Sequence, residues 1–299
     1  MIERAFAKIN LGLDITGKRA DGYHLVRMIM QTLSLHDTLA FDREEEPGVR
    51  LSCDRPELET GADNLICRAA ELFFRKYEIG AGVRIHLEKR IPLAAGLAGG
   101  SADAAATLRA LNAIFETHLT DEELCGLGVR IGADVPFCIC GGTALCEGIG
   151  EILTPLESLG DCAVVLAKPR IGISTAEAYR DYDAETEIRH PAIDAQAQAL
   201  RRRSVTEVAG LCGNVLEPVV SRRHPEIVRL REQLLAGGAC GARMSGSGPT
   251  VYGIFTDRIR AEQVAKRLLR EEENTEIFVT EPITAGGRDD RRQTGQGNG

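Results

Sequence analysis

Residues 92–101 read Pro-Leu-Ala-Ala-Gly-Leu-Ala-Gly-Gly-Ser, and the alanine-rich stretch after them predicts a helix over 102–115. Glycines let backbone N–H groups approach a polyanion because there is no Cβ to clash. The N-terminus of a helix adds unpaired N–H donors and a partial positive charge. The stretch is therefore a candidate triphosphate-binding loop, in which Ser101 can cap the helix or meet a metal bound to phosphate. It matches neither the Walker A pattern nor the dinucleotide-binding pattern, so a tight strand-to-helix turn stays open as the alternative.

Three other segments carry residues that are unusual where they stand. Lys8 interrupts the apolar run Ala5–Leu13, and Asp134 is a lone acid in the otherwise apolar segment Gly132–Pro136. A second glycine-rich segment, Met244-Ser-Gly-Ser-Gly-Pro249, joins two predicted strands and is able to close over a ligand. Local sequence leaves a structural role open for each: a snorkelling edge lysine, an acid held by local hydrogen bonds, and an ordinary hairpin loop.

The rest of the chain mixes strand and helix patterns without a regular alternation of the two. Strands are predicted at 5–16, 28–35, 83–88, 142–147, 162–167, 242–245, 251–255 and 276–280. Asp63 or Asn64 can cap a first helix, and further helices are predicted at 121–129, through most of 175–235 and at 257–270. This mixture favours an α+β fold over a doubly wound sheet. A domain boundary is expected near residues 160–170, and the polar tail 286–299 is expected to be disordered.

Composition excludes several classes of protein. The chain has 299 residues, a net charge of −8, 4 % aromatic residues and no Trp. Proteins that track nucleic-acid phosphates are usually basic, so no nucleic-acid partner is expected. No apolar run approaches the roughly 20 residues that span a bilayer, and Met1–Asn10 lacks the apolar core of a secretory signal. We therefore expect no membrane partner; the oligomeric state is left open.

The nine cysteines are scattered, which is typical of reduced thiols in a cytoplasmic protein. Cys138 and Cys140 lack the Cys-x-x-Cys spacing of a zinc site. Their alternation with apolar residues predicts a strand directly after Asp134.

Taken together, these motifs resemble the GHMP kinase superfamily, which includes galactokinase and the homoserine and mevalonate kinases. The central loop of that superfamily reads Pro-x-x-x-Gly-Leu-x-[Gly/Ser]-Ser or close to it, and residues 92–101 fit. Within the superfamily, the chain resembles the 4-diphosphocytidyl-2-C-methyl-D-erythritol kinases of the non-mevalonate isoprenoid pathway. The segments that carry this likeness occur in the same order, from about Ala5 to about Thr280: 7–11, 19–24, 63–65, 88–92, 132–136 and 242–248. Lys-Ile-Asn at 8–10 and Asp-Gly-Tyr-His at 21–24 are the most specific of them.

The resemblance implies a two-domain GHMP kinase fold. An N-terminal domain like that of ribosomal protein S5, with a left-handed β-α-β crossover, would span 1–162. A ferredoxin-like C-terminal domain would span 163–285, followed by the tail 286–299. The left-handed unit would be an exception to the usual right-handed rule.

The resemblance also implies roles for individual residues. Lys8 and Asp134 would flank the acceptor hydroxyl as the catalytic pair, supported by Asn10. Tyr23 and His24 would sit on the cytosine of a cytidine diphosphate methylerythritol substrate, with Tyr179 stacking from the other side and Thr175 at the erythritol end. ATP and Mg²⁺ would be the cofactors, with no metal ligand assigned. The adenine pocket would be lined by Asn64 and Lys89, and the phosphates would be held by Pro92, Leu93, Ala94, Ala95, Gly96, Leu97, Ala98, Gly99, Gly100, Ser101 and Ala102.

The chain departs from its relatives at two positions. Ala98 stands where many of them carry glycine, and alanine enters a backbone conformation of positive φ less easily; we expect it to be tolerated. Tyr179 replaces a phenylalanine found in some relatives, and either ring can stack. Asp103, in the first turn of the helix, is expected to favour the helix dipole rather than to contact metal.

Two other functions remain compatible with the sequence. Another GHMP kinase would act on homoserine or mevalonate, but it would have no need of a cytosine pocket at 21–24. A nucleotide-binding regulator without catalysis would have no need of both Lys8 and Asp134.

Overall fold

The computed structural model describes residues 1–284 and 292–293, which form two β-sheets with helices packed around them. The first sheet contains β1 (Ile2–Lys18), β2 (His24–Glu44), β3 (Gly48–Cys53), β4 (Gly82–Glu88), β5 (Thr143–Glu147), β6 (Ile152–Leu156), β8 (Gly213–Asn214) and β12 (Arg292–Gln293). The second sheet contains β7 (Ala163–Pro169), β9 (Gly241–Met244), β10 (Val251–Phe255) and β11 (Thr275–Thr280). The helices are α1 (Leu65–Lys76), α2 (Gly99–Ile114), α3 (Asp121–Gly128), α4 (Val135–Cys140), α5 (Thr175–Asp183), α6 (Ile193–Arg201), α7 (Val205–Gly210), α8 (Glu217–Arg223), α9 (Pro225–Ala236) and α10 (Arg258–Glu271).

The antiparallel hairpin of β1 and β2 is the frame of the first sheet. The strand order is β12-β1-β2-β4-β3, while β5 also pairs with β2 and β6 with β5. The register of the hairpin shifts between Phe6 and Lys8 and again between Asn10 and Gly12. Such bulges bend a strand and re-aim its side chains. Lys8 and Asn10 lie between these two bulges and, two residues apart, point to the same face of the strand.

The helices α1 and α2 begin in different ways. Asn64 caps α1, and its side-chain oxygen accepts a hydrogen bond of 2.9 Å from the N–H of Ile66. By contrast, α2 begins after Ala98, which has a left-handed backbone and makes no capping bond through its side chain. The alanine-rich part of α2, from Ala102 to Leu111, is buried against neighbouring elements. The N-terminus of α1 is therefore closed by its own cap, whereas that of α2 is open.

The second sheet has the strand order β11-β7-β10-β9, with every neighbouring pair antiparallel. Along the chain its elements run β7, the helices α5 to α9, β9, β10, α10 and β11. A β-α-β-β-α-β sequence of elements is the ferredoxin-like pattern. The ferredoxin-like C-terminal part expected from the resemblance is thereby confirmed, and so is the α+β class.

The two halves share a hydrophobic core. Leu13 and Met28 of the first sheet pack in one buried cluster with Val165 and Ala242 of the second. The division between the sheets falls between the end of β6 and the start of β7, where the boundary at residues 162 and 163 is predicted. Because the core crosses this division, the assignment of two domains, 1–162 and 163–285, stays a prediction.

The strand predicted over Cys138 and Cys140 is wrong, because these residues belong to helix α4. Pro136 lies in the first turn of this helix, where its fixed φ suits a helix start. Most of this six-residue helix is buried, so it has no polar face, and a short apolar helix cannot be told from a strand by periodicity. The strands β3 and β6 were also not predicted from the sequence.

The predicted disordered tail, 286–299, lies outside the described residues except for Arg292 and Gln293. These two residues pair with Glu3 and Ile2 of β1. Within the described part of the chain, no helix is long and apolar enough to cross a membrane.

Candidate active site

A cleft of about 1050 Å³ lies between the glycine-rich loop, β1, the start of α4 and α5. Seventeen of the predicted site residues line it: Lys8, Asn10, Tyr23, His24, Lys89, Pro92, Leu93, Ala94, Ala95, Gly96, Ala98, Gly99, Gly100, Ser101, Asp134, Thr175 and Tyr179. Three others do not line it: Leu97 and Ala102, which are buried, and Asn64.

Lys8 and Asp134 meet in this cleft although they lie on different elements. The ammonium of Lys8 is 3.5 Å from a carboxylate oxygen of Asp134 and donates a hydrogen bond of 2.7 Å to the side-chain oxygen of Asn10. Lys8 is almost fully buried, whereas 31 % of the Asp134 side chain is exposed. Asp134 precedes α4 but makes no capping hydrogen bond through its side chain. Its carboxylate is therefore free to accept a further hydrogen bond from a ligand.

The glycine-rich loop takes the shape of an anion-binding nest. Ala94, Gly96 and Ala98 have positive φ values of 48°, 74° and 56°. The first amide of α2 that bonds back to the loop is that of Ala102, 2.8 Å from the carbonyl of Ala98. The three preceding amides, at 99–101, have no hydrogen-bond partner among the described residues. Unpaired N–H groups at a helix N-terminus can donate hydrogen bonds to a phosphate.

The second glycine-rich segment, 244–249, packs directly on the first. The hydroxyl of Ser245 donates to the carbonyl of Gly96 at 3.0 Å and accepts from the backbone N–H of Asn10 at 3.3 Å. A Cβ on Gly96 would lie 2.3 Å from the carbonyl oxygen of Ser245, which explains why this position needs glycine. The segment thus fixes the glycine-rich loop to β1, and its residues Gly246 to Gly248 also line the cleft.

Lys89 is held in a buried cluster of charges beneath the loop. Its ammonium lies 2.5 Å from Asp37 and 2.6 Å from Asp103, and 3.1 Å from the position of a Cβ on Gly99. Burial lowers the pKa of Lys89, but the carboxylates of Asp103 and Asp37 outweigh this effect and raise it. Two carboxylates face one ammonium here, and burial raises the pKa of Asp103 to about 8. Asp103 is therefore a buried hydrogen-bond partner of Lys89 rather than the dipole-stabilising acid expected from sequence.

Sequence reasoning missed Asp37, whose other oxygen accepts the backbone N–H groups of Arg90 and Ile91 at 2.5 and 2.7 Å. No local signal marks this residue, because Asp37 lies on β2, more than fifty residues before the segment it holds. Asn64 was expected at the adenine, but its side chain bonds to Ile66 and to the carbonyl of Glu59.

At the opposite end of the cleft, aromatic residues of both halves come together. The imidazole of His24 stacks directly on Tyr179, with ring centres 4.7 Å apart at an angle of 29°. A pyrimidine therefore has no room between these two rings, although Tyr23 stands free and exposed beside them. Burial raises the pKa of Tyr179 to about 12, and the charge of Asp134 adds to this. Thr175 lies near this end, its hydroxyl 2.9 Å from that of Ser247.

Two charged residues at this end were not anticipated from sequence. Asp183 bonds to His24 and to Lys18, and all three line the cleft. Asp183 lies one helical turn after Tyr179 on α5, a spacing that places the two side chains on one face. This spacing is the one sequence signal that could have identified Asp183, and it can be used only when Tyr179 is already known to face a site.

Comparison with known families matches both halves of the chain. The family described as GHMP kinases N terminal domain matches residues 64–142, and the family described as GHMP kinases C terminal matches residues 196–274.

Curated relatives match almost the whole chain. A 4-diphosphocytidyl-2-C-methyl-D-erythritol kinase of Clostridium beijerinckii is 44 % identical over 280 residues, which is 94 % of this chain and 99 % of the relative. A protein of the same name from Alkaliphilus metalliredigens is 47 % identical over 262 residues, covering 88 % of this chain and 90 % of the relative.

Solved structures agree with these relatives. A crystal structure of 4-(cytidine 5'-diphospho)-2C-methyl-D-erythritol kinase superposes with a TM-score of 0.80 at 34 % identity, over 94 % of this chain and 99 % of the other. A homoserine kinase from Cytophaga hutchinsonii gives a TM-score of 0.71 at 18 % identity, covering 95 % and 96 % of the two chains. At that identity the second likeness concerns the fold alone.

Proposed function

Since the chain belongs to the GHMP kinases and, within them, to the 4-diphosphocytidyl-2-C-methyl-D-erythritol kinases, we propose that it transfers the γ-phosphoryl group of ATP to the 2-hydroxyl of that substrate. The reaction is a step of the non-mevalonate isoprenoid pathway. The observation that carries the proposal is the distance of 3.5 Å between the ammonium of Lys8 and the carboxylate of Asp134, beside the open N-terminus of α2.

Asp134 and Lys8 are the catalytic pair of this proposal. The acceptor is a tertiary alcohol, which is a poor nucleophile at neutral pH. The Asp134 carboxylate accepts a hydrogen bond from this hydroxyl and thereby either takes its proton or aligns it for attack. The Lys8 ammonium stabilises the negative charge that develops on the hydroxyl and on the transferred phosphoryl group. Asn10 holds the ammonium in place through the hydrogen bond of 2.7 Å.

ATP binds with its phosphates on the nest formed by 92–102. Phosphoryl transfer has a loose transition state, so positioning and electrostatic stabilisation dominate its catalysis. The unpartnered amides at 99–101 and the dipole of the sixteen-residue helix α2 provide both. Lys89 and Asn64 act on the adenine end of the ATP site without contacting the base. Lys89 holds the glycine-rich loop from beneath through its bonds to buried carboxyl groups. Asn64 caps α1, whose first residue, Leu65, lines the cleft.

The residues of the cleft fit a magnesium ion that is bound mainly through the nucleotide. No group of three or more His, Cys, Asp or Glu side chains within residues 1–284 is arranged to hold a metal by itself. Mg²⁺ in kinases takes most of its ligands from phosphate oxygens and water. The hydroxyl of Ser101, which faces the segment before Asp134 at 3.7 Å from a Cβ position on Gly132, would hold it. When bound, the ion would supply positive charge that neutralises the β- and γ-phosphates.

The cytidyl end of the substrate binds at the aromatic end of the cleft. Tyr23 and Tyr179 lie on opposite elements, the β1–β2 turn and α5, and offer two ring faces to a pyrimidine. His24 supports the face of Tyr179 from below instead of stacking on the base. Thr175 contacts the methylerythritol end, next to Ser247.

An acceptor panel tests the proposal. ADP release is measured with ATP and Mg²⁺ in the presence of 4-diphosphocytidyl-2-C-methyl-D-erythritol, mevalonate or homoserine. We expect turnover with the cytidyl substrate and rates at background with the other two. Preference for mevalonate or homoserine would indicate a different GHMP kinase. ATP binding without ADP release on any acceptor would indicate a regulator without catalysis.

A further inference from the structure

Asp183, at the end of α5, contacts the two residues that close the β1–β2 hairpin. Lys18 and His24 are partners in the hairpin register. One oxygen of Asp183 lies 2.5 Å from the ammonium of Lys18, and the other lies 2.7 Å from Nε2 of His24. A single carboxylate from the second half of the chain therefore holds both ends of a turn that belongs to the first half.

The same helix holds the ring of His24 from two further directions. Tyr179 stacks on its face, and Tyr182 meets it edge-on at 6.3 Å and 86°. Tyr179 and Asp183 are four residues apart and therefore lie on the same face of α5, from which both contact the imidazole. As a result, 11 % of the His24 side chain remains exposed.

The charge state of Asp183 determines the direction of these bonds. The hydrogen bonds from Lys18 and then His24 lower the pKa of Asp183. An ionised carboxylate only accepts hydrogen bonds, so Nε2 of His24 carries the hydrogen. The side chains of Lys18 and Asp183 are 49 % and 36 % exposed, and ion pairs this exposed contribute little to the free energy of unfolding. The main effect of these contacts is therefore to fix the position of the hairpin relative to α5, rather than to stabilise the fold.

The turn between these two residues carries Tyr23. It is closed by a hydrogen bond of 2.7 Å from the N–H of Arg19 to the carbonyl of Tyr23, and the N–H of Tyr23 donates to Asp21 at 3.2 Å. Gly22, with a φ of 90°, completes the bend. The Tyr23 ring has no aromatic neighbour within the described residues, so the position of the turn decides where this ring stands.

We propose that Asp183 is a positioning residue for the pyrimidine, which sets the separation of the Tyr23 and Tyr179 rings by holding the hairpin at Lys18 and His24. Asp183 acts through these residues and does not contact the base. The inference rests on the proposed function, since it takes the cytidyl group as the occupant of this end of the cleft.

The first test is kinetic. In Asp183→Ala we expect KM for the cytidyl substrate to rise about tenfold, with kcat and the KM for ATP within about twofold of wild type. Asp181→Ala is the matched control, because it removes an ion pair from the same helix, that of Asp181 with Arg223 at 2.9 Å, and should leave both KM values unchanged. In the double variant His24→Ala/Asp183→Ala, KM should stay well below the product of the two single effects, because the residues act together.

The second test does not depend on turnover. Calorimetric titration with CDP should show about tenfold weaker binding to Asp183→Ala than to wild type or Asp181→Ala. If wild type binds CDP and Asp183→Ala loses this affinity but no acceptor is phosphorylated, the proposed function fails while the role of Asp183 stands. Unchanged KM and CDP affinity in Asp183→Ala would overturn the inference. Independent, multiplicative effects of the His24 and Asp183 substitutions would overturn it as well.

Discussion

Tyr23 lies at the tip of the β1–β2 turn, where 61 % of it is exposed, so its removal disturbs little of the core. Stacking of one base on an aromatic ring contributes about 1–3 kcal/mol. We expect Tyr23→Ala to raise KM for the cytidyl substrate about tenfold, while KM for ATP stays within about twofold. Tyr23→Phe, which keeps the ring, should resemble wild type. An equal rise in both constants would argue against a pyrimidine at this ring.

Ala98 shows how a single residue can hold a strained backbone in place. Its φ of 56° and ψ of 29° are left-handed, a conformation that costs a residue with a Cβ about 1–2 kcal/mol. Glycine removes this strain. Its greater conformational freedom in the unfolded chain, however, cancels about 0.4–1 kcal/mol of the stability gained. Ala98→Gly should therefore raise the free energy of unfolding in urea by about 0.5–1 kcal/mol.

The same change inside a regular helix serves as the control for Ala98→Gly. Ala197 lies in the interior of α6, where glycine should lower the free energy of unfolding by about 1 kcal/mol. Opposite signs for the two substitutions are expected. A loss of stability in both would show that the left-handed strain at Ala98 is negligible.

At the scale of elements, the start of α1 is closed by Asn64 rather than by a ligand. Loss of such a cap lowers the free energy of unfolding by about 1 kcal/mol. We expect this loss in Asn64→Ala, with KM for ATP within about twofold of wild type. Asn64→Asp keeps the cap but loses the hydrogen bond to the carbonyl of Glu59, and should lose less stability than Asn64→Ala. A large rise in KM for ATP at unchanged stability would instead support direct contact between Asn64 and the adenine.

The charge cluster under α2 makes stability depend on pH. The pKa of Asp103 is raised from 3.8 to about 8 in the folded protein, so the folded state binds a proton that the unfolded state releases. Its contribution to stability is present at low pH and is lost as pH rises from about 4 to about 8. The Tm of Asp103→Asn should therefore fall less between pH 5 and pH 9 than that of wild type.

Asp42→Asn is the control for this measurement, because it removes a carboxylate that is exposed near the end of β2 and does not belong to the buried cluster. Parallel Tm curves for wild type and Asp103→Asn would mean that the cluster does not titrate in this range.

At the scale of the whole molecule, the cleft is assembled by contacts between distant parts of the chain. Tyr252 of the second sheet donates a hydrogen bond of 2.9 Å to the carbonyl of Asn10 on β1. Ser245, from the same half, ties Asn10 to the loop at Gly96. The strand that carries Lys8 is thus held by the C-terminal half, although Asp134, its partner in the proposed mechanism, lies in the N-terminal half.

The parts of this site that were predictable from sequence are those with a local or motif-borne signal. The glycine-rich loop, Lys8 and Asp134 stand out because each breaks the pattern around it. Asp37 carries no such signal, and Asp183 carries only its spacing from Tyr179, because the importance of both comes from partners at least 50 residues away in the chain. The direct stacking of His24 on Tyr179 was missed for the same reason: it depends on how α5 docks on the hairpin.

The central claim is that Asp134 acts on the acceptor hydroxyl while ATP is bound by other groups. Single-turnover transfer of the γ-phosphoryl group to 4-diphosphocytidyl-2-C-methyl-D-erythritol, measured together with ATP affinity in wild type, Asp134→Ala and Asp134→Asn, tests it most directly. We predict that Asp134→Ala slows transfer by about 10²- to 10⁴-fold with nearly unchanged ATP affinity. If Asp134→Asn is as slow as Asp134→Ala, Asp134 acts as the base. If Asp134→Asn keeps part of the activity, Asp134 acts by aligning the hydroxyl. Transfer at the wild-type rate in Asp134→Ala would contradict the account.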